Sequence, residues 1–125
     1  MKIVLVINTM ITNKEKISNI ILDEKEIFFL YDNKYIWSIE KINENWSDQY
    51  VVNFFPKDRN SIVQEDIEDI VHKKRFGTLS NIATYSTVEL KAVEAFESFK
   101  DLYQILLDKL YGIDEMFDDI LTPPF

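Results

Sequence analysis

The stretch from residue 86 to residue 111 is the longest periodic segment of this chain and most constrains its fold. Its apolar side chains recur at steps of three and four, the spacing of one helix face. They are Val88, Ala92, Ala95, Phe96, Phe99, Tyr103, Leu106 and Leu110, widened by Val93, Leu102 and Leu107. Ser86 and Glu89 have the spacing of a capping box, which predicts that the helix begins at Ser86. At about 1.5 Å per residue the helix is roughly 37 Å long, enough to span a domain of this size.

The first half of the chain is typical of strands. Residues 2–11 are almost continuously apolar and rich in β-branched side chains, which predicts a central strand covered on both faces. Further strands joined by polar turns are predicted over 17–22, 26–31, 35–42 and 49–55. The connection over 43–48 is predicted as a loop that carries Trp46, and Pro56 stops the strand that follows it.

The character of the sequence changes after residue 57. A helix is predicted from about 62 to 75, with Ser61 and Gln64 as a second possible capping box and Gly77 beyond its end. One more strand is predicted within 78–85, and a short acidic helix over 114–120. The order of these elements predicts an α+β fold in one domain over residues 1–125. Its antiparallel or mixed sheet has about five to six strands, with one long C-terminal helix and one or two shorter helices packed on one face.

Composition leaves few routes to catalysis. The chain has no cysteine and only two glycines, which excludes thiolate chemistry and a glycine-rich phosphate loop. His72, the only histidine, shares a helix face with Glu68 and follows Asp69, but this set is more typical of an exposed helix with local charge pairs than of a metal site. The acids after Gly112 lack the spacing of a calcium loop. We therefore expect no metal, no cofactor and no enzyme activity.

Negative charge is concentrated near the C-terminus. The formal net charge is -8, and residues 86–125 hold nine carboxylates against three lysines, a net charge of -6. An acidic surface repels nucleic acid and anionic lipid and attracts basic proteins, so we expect neither nucleic-acid nor membrane binding. The alternative is that the charge only keeps the protein soluble.

Aromatic residues are concentrated elsewhere, with nine of the seventeen between residues 28 and 55. In alternating strands some of them reach the surface, where tyrosine and tryptophan often anchor protein interfaces. Trp46 and Tyr50 are the candidates that we carry forward. Core or cross-strand packing is the alternative explanation for these rings.

Together these features predict a small acidic protein that binds another protein. The leading hypothesis is a bacterial immunity or inhibitor protein that covers the active-site cleft of a basic, nuclease-type toxin in the cytoplasm. The apolar run at the start breaks at Asn8 and lacks a cleavage site, which favours that location. The predicted partner-binding residues are Glu94, Glu97, Asp101, Asp108, Asp114, Glu115, Asp118, Asp119, Trp46 and Tyr50.

Two other functions stay open from the sequence. One is a structural or adaptor subunit that forms a homo-oligomer through an edge strand or through Leu102 and Leu107. The other is a carboxylate-dependent hydrolase, which requires two acids that converge in a pocket.

Overall fold

A computed structural model of the protein describes residues 1–56, 66–77 and 82–123. Within these ranges the chain forms five α-helices, one 3₁₀ turn and five strands. The helices are α1 (Lys2–Thr12), α2 (Ile67–Arg75), α3 (Thr87–Leu90), α4 (Val93–Tyr111) and α5 (Ile113–Leu121), and the 3₁₀ turn is Lys14–Lys16. The strands are β1 (Ile17–Asp23), β2 (Glu26–Tyr31), β3 (Tyr35–Glu44), β4 (Ser47–Phe55) and β5 (Ala83–Ser86).

The five strands form one antiparallel sheet in the order of the sequence, β1-β2-β3-β4-β5. Short hairpin connections explain the order from β1 to β4, whereas β5 pairs with β4 after the longer segment that contains α2. The predicted α+β class, the antiparallel sheet and the long C-terminal helix are confirmed.

Both faces of the sheet are covered. Ile27, Ile39 and Val52 pair across neighbouring strands and lie in a core cluster with residues of α1 and α4. Phe28 and Phe55 point to the opposite face, where they form a second cluster with the buried residues of α2. The prediction that the helices pack on one face is therefore wrong in this respect, since α2 forms a third layer.

Residues 2–11 form helix α1 and not the predicted central strand. Ile3, Ile7 and Met10 are buried at the spacing of one helix face, while Leu5 between them is 66% exposed. A run of apolar, β-branched residues this short is compatible with a strand or a buried helix, and packing against α4 decides for the helix. The centre of the sheet is β3 instead.

The predicted helix from Ser86 is interrupted near its start. Lys91 has a left-handed φ of 51°, which separates α3 from α4, so the long helix begins at Val93. Ser86 does cap a helix, but it accepts from the Val88 amide at 3.2 Å and caps α3 alone. The buried Thr87 hydroxyl accepts a hydrogen bond from the Tyr50 amide at 2.9 Å and so attaches α3 to β4.

The other predicted boundaries differ only in detail. The predicted loop over 43–48 is a two-residue turn, because Asn45 and Trp46 both have positive φ and the strands continue to either side of them. Helix α2 begins at Ile67 with a capping box between Asp66 and Asp69, whereas the predicted box at Ser61 and Gln64 lies outside the described residues. The predicted strand within 78–85 is described only from residue 82 onward and ends at Ser86 as β5.

Candidate protein-binding surface

Helix α5 is amphipathic, and its apolar side is exposed. Apolar residues recur at the spacing of one helix face, and none of the helix residues is buried. We call the exposed members the α5 stripe: Met116 (57% exposed), Phe117 (59%), Ile120 (77%) and Leu121 (79%). Ile113, half-buried at the start of the helix, continues the stripe toward the body of the protein. An apolar stripe left exposed by all the described elements is typical of a contact surface for another molecule.

Gly112 directs α5 away from the core. It ends α4 and precedes the first residue of α5, with a left-handed φ of 62° that favours glycine. A Cβ atom at this position would lie 2.9 Å from the Glu115 Oε2 atom. The carbonyl of Gly112 also accepts the Met116 amide at 3.0 Å in the first turn of α5. The direction of α5 therefore depends on the backbone of one glycine.

The four carboxylates of α5 lie on the side opposite the stripe and along its borders. Asp114 and Glu115 stand in the first turn, where negative charge stabilises a helix. Asp118 and Asp119 stand near its C-terminus, where negative charge is unfavourable, and the last turn contains no basic residue. Helix stability thus explains the first pair of acids and leaves the second pair unexplained.

Helix α4 carries a row of acids along one side. At about 100° per residue, helical geometry places Glu94, Glu97, Asp101 and Asp108 within a narrow arc; we call them the α4 acidic row. The first three are exposed, whereas Asp108 is half-buried and accepts a hydrogen bond from Gln104 Nε2 at 2.9 Å. Across the described ranges, no acid of this row or of α5 has a cationic nitrogen within 4.0 Å.

A cavity of about 620 Å³ connects the two acidic segments. It lies between the end of α4, the start of α5 and the first residues of β1. Its charged lining consists of Glu15, Asp108, Asp114, Glu115, Lys14 and Lys109. The cavity brings Asp108 of the α4 acidic row together with Asp114 and Glu115 of α5. The other three acids of the row lie farther along α4 and do not line it.

The two aromatic residues predicted to bind a partner lie elsewhere. Trp46 is fully exposed (100%) at the tip of the β3–β4 hairpin. Tyr50 is 3% exposed and packs between Phe96 and Tyr103 at ring distances of 5.7 and 5.6 Å. Burial raises the pKa of the Tyr50 hydroxyl above its usual value of 10.0, with Lys41 opposing and Asp48 and Tyr103 adding to the shift. Tyr50 is a core residue in this conformation.

Trp46 and the acids of α5 occupy opposite ends of the sheet. The cavity next to α5 contains Ile17, which pairs with Tyr31, and Tyr31 in turn pairs with Tyr35 at the start of β3. Trp46 follows the end of β3, and a strand of 10 residues is roughly 33 Å long at about 3.3 Å per residue. One compact partner surface cannot contact both Trp46 and α5 without spanning the length of the sheet.

Sequence reasoning missed a row of polar side chains on the α2 face of the sheet. Glu26 accepts hydrogen bonds from Ser38 Oγ, from Asn53 Nδ2 at 3.3 Å and from Lys74 Nζ of α2 at 2.9 Å, while Thr84 Oγ1 donates to Asn53 Oδ1 at 2.8 Å. These residues belong to four strands and one helix, and no sequence spacing connects them. Each contact is internal, so the row is explained by positioning α2 on the sheet and implies no ligand.

The side chains considered for metal binding are not grouped. His72 is exposed on α2, and its ring lies 4.7 Å from that of Phe76. Among the described residues, no three histidine, aspartate or glutamate side chains lie close enough together to hold a metal ion. None of the described helices is both long and apolar enough to cross a membrane.

Comparison of this chain with models of protein families, with curated proteins and with solved structures finds no match. The exposed side chains themselves are therefore the evidence for function. The exposed stripe also had a signal in the sequence, because residues 113–121 repeat the helical apolar spacing after the core-forming helix has ended.

Proposed function

We propose that this protein binds and inhibits a basic protein, with a nuclease-type toxin of bacteria as the specific candidate. The observation that carries the proposal is the set of carboxylates on α4 and α5, which have no cationic nitrogen within 4.0 Å among the described residues. A nuclease cleft that holds phosphates is lined by lysine and arginine. The acids of this surface would occupy the places of those phosphates and block the cleft.

The arrangement of charge supports steering of a partner. Four acids lie on one side of α4, and the last of them, Asp108, shares a cavity with Asp114 and Glu115 of α5. The cavity lining has four acids, these three and Glu15, against two lysines, so negative charge is in excess there. Acidic surfaces of this kind raise the association rate with a basic partner at low salt by factors of about 10 to 1,000. Exposed carboxylates without an ion pair in the described ranges keep their charge available to another molecule.

A homo-oligomer is less compatible with the same surface. Leu102 is fully buried in the core, so it is not available to a second copy in this conformation. At the sheet edges, β5 has only 4 residues, and β1 contains a register shift next to Asn19, whose φ is positive. Short and irregular edge strands disfavour pairing with another chain. Two copies of α5 would also bring four carboxylates each into contact.

The test is co-expression with the protein encoded by the neighbouring reading frame, followed by co-purification at low and high salt. We expect a basic partner whose association slows at high salt. In a triple variant, Glu94→Lys, Glu97→Lys and Asp101→Lys, the association rate should fall on the order of tenfold or more.

The matched control changes three exposed acids elsewhere, Glu24→Lys, Glu44→Lys and Glu68→Lys, and alters the net charge by the same amount. It should retain most of the association rate if position matters. An acidic partner, no partner, or equal losses in the two triple variants would contradict the proposal.

A further inference from the structure

We infer that the α5 stripe is a docking element that inserts into an apolar strip of a partner protein bordered by lysine and arginine side chains. This inference rests on the proposed function in one respect, that the partner is basic. It adds that α5 makes the contact, and that the partner surface is apolar with cations at its border.

The α5 stripe exposes a large apolar area for so short a helix. Four large side chains of the stripe are 57–79% exposed, although α5 is only 9 residues long. Their spacing is that of the anchor residues with which a helix lies in an apolar groove. Single exposed apolar residues are ordinary on protein surfaces, whereas a whole helix side left uncovered is not.

Negative charge borders the stripe. By helical geometry, Asp114 borders it on one side and Asp119 on the other, and helix α5 has no basic residue to neutralise them. A purely apolar groove would desolvate both carboxylates without compensation, which is unfavourable. A groove with cations at its rim would pair with them. The charges on the two borders therefore define the occupant as a basic protein surface.

The acids near the end of α5 are unfavourable for the helix itself. Asp118 and Asp119 oppose the helix dipole at the C-terminus, and the last carbonyls are capped by the backbone and hydroxyl of Thr122 and not by a cation. Within residues 1–56, 66–77 and 82–123, no ion pair accounts for these two acids. We infer that residues that weaken their own helix serve a contact with another molecule.

The same charges argue against other occupants. Anionic lipid would be repelled by four carboxylates on a helix of 9 residues. A second copy of the chain would present the same negative charge. Binding of the stripe to lipid or to a second copy would overturn the inference.

The experiment uses the full chain and a synthetic probe with the stated chemistry. The probe is a fluorescent peptide of leucine and lysine that forms a helix with a leucine stripe, and its control is a scrambled peptide of the same composition. We expect the patterned peptide to bind about tenfold more tightly than the scrambled one, as measured by fluorescence anisotropy, because only the patterned peptide offers a continuous apolar strip.

Two double variants distinguish binding by the α5 stripe from non-specific binding by other exposed apolar side chains. Phe117→Ala with Ile120→Ala should abolish the preference for the patterned peptide. The matched pair Leu5→Ala with Val93→Ala removes apolar side chains that are 66% and 77% exposed on other helices and should leave the preference unchanged. Neither pair removes a buried side chain, so thermal unfolding of both variants should match the parent.

Each other outcome has a definite meaning. Equal binding of both peptides shows a purely electrostatic surface, which overturns this inference and leaves the proposed function standing. Binding to phosphatidylcholine vesicles, or a dimer in sedimentation, that disappears in the Phe117/Ile120 variant assigns the stripe to lipid or to a second copy and also overturns it. A patterned-peptide preference together with a basic co-purifying partner whose activity the protein does not inhibit would instead overturn the proposed function alone.

Discussion

Helices α2 and α5 have the same length, 9 residues, but differ in how far their side chains are buried. Helix α2 buries Ile67, Ile70 and Val71 against the sheet, whereas α5 buries none of its residues. The difference extends to charge. Helix α2 has acids in its first turn and bases in its last, while α5 has acids at both ends.

The two helices also differ in how they are attached. Lys74 and Arg75 of α2 pair with Glu26 and Asp23 at the edge of β2 and β1. The hydrogen bond from Arg75 to Asp23 raises the pKa of the guanidinium. Helix α5 has no ion pair in the described part of the chain and leaves the body through Gly112. Amphipathic spacing alone therefore does not decide whether a helix stabilises the fold; the charges at its ends and the surface available to it do.

The largest contrast is expected for matched isoleucines. Ile70→Ala in α2 should lower the free energy of unfolding by about 2–5 kcal/mol, because it leaves a cavity in the second core cluster. Ile120→Ala in α5 should change it by no more than about 0.5 kcal/mol, because the side chain is already in water. Urea denaturation measures both values. Similar losses at the two positions would show that α5 is part of the core.

The next contrast concerns ion pairs. Lys74→Met leaves the Glu26 carboxylate, whose side chain is only 12% exposed, without its cation at 2.9 Å. We expect a loss of about 1–3 kcal/mol in unfolding free energy, measured by urea denaturation.

The control for this prediction is Lys41→Met, which removes an exposed pair with Asp48 at 3.5 Å. Exposed pairs contribute about 0–1 kcal/mol. If Lys74→Met were as mild as Lys41→Met, the polar row beneath α2 would not hold that helix in place.

Substitution of the two glycines should separate stability from recognition. Gly77 and Gly112 have similar left-handed φ values, 67° and 62°. Alanine at either position should therefore lower the unfolding free energy by about 1–2 kcal/mol. Only Gly112→Ala should also weaken binding of the patterned peptide, because only Gly112 sets the direction of α5. Anisotropy titrations of both variants check this, and equal binding by both would show that the direction of α5 is unimportant.

The smallest effect is expected at the C-terminus of α5. Asp119→Lys places a cation where the helix dipole favours one, which should stabilise α5 by about 0.3–1 kcal/mol. Far-UV circular dichroism should show slightly more helix, while the preference for the patterned peptide falls. The control is Asp66→Ala, which removes the cap of α2 and should lower stability by about 0.5–2 kcal/mol without affecting the peptide. Tighter peptide binding by Asp119→Lys would contradict the role assigned to the acidic border.

Sequence reasoning worked where the local pattern and the tertiary structure agree. The strands from β1 to β4 alternate or form short apolar runs between turn residues, and all four were predicted with small boundary errors. The long helix was predicted from its apolar spacing. Its true start was not, because no glycine or proline marks Lys91 as the residue that adopts a left-handed conformation.

Two other differences come from missing signals. Asn45 and Trp46 form a turn with a left-handed backbone, for which glycine is the usual second residue. Because tryptophan stands there instead, the sequence does not predict a two-residue turn. Residues 2–11 have the composition of a strand but the burial pattern of a helix. Only their contact with α4 decides between strand and helix. The sheet contacts of α2 could not be predicted at all, because they join residues far apart in the sequence.

The acids of the candidate surface were named from the sequence as one partner-binding set, and their role stays a prediction. The structure adds that Asp108, Asp114 and Glu115 line one cavity. Charge counting identified the carboxylates of α4 and α5, and helical geometry was enough to place each set on one side of its helix. The separation of Trp46 from these acids depends on strand register, which the sequence does not specify. The burial of Tyr50 depends on where α4 crosses the sheet.

The uncovered position of α5 has a consequence for how this protein can vary. Its apolar side chains contribute no burial to the core, so folding imposes little constraint on which residues occupy positions 116, 117, 120 and 121. Substitutions there should leave the sheet, α1 and α4 unchanged. Under the proposed docking role, such a chain would follow a changing partner through one short segment, without losing the stability that the rest of the molecule provides.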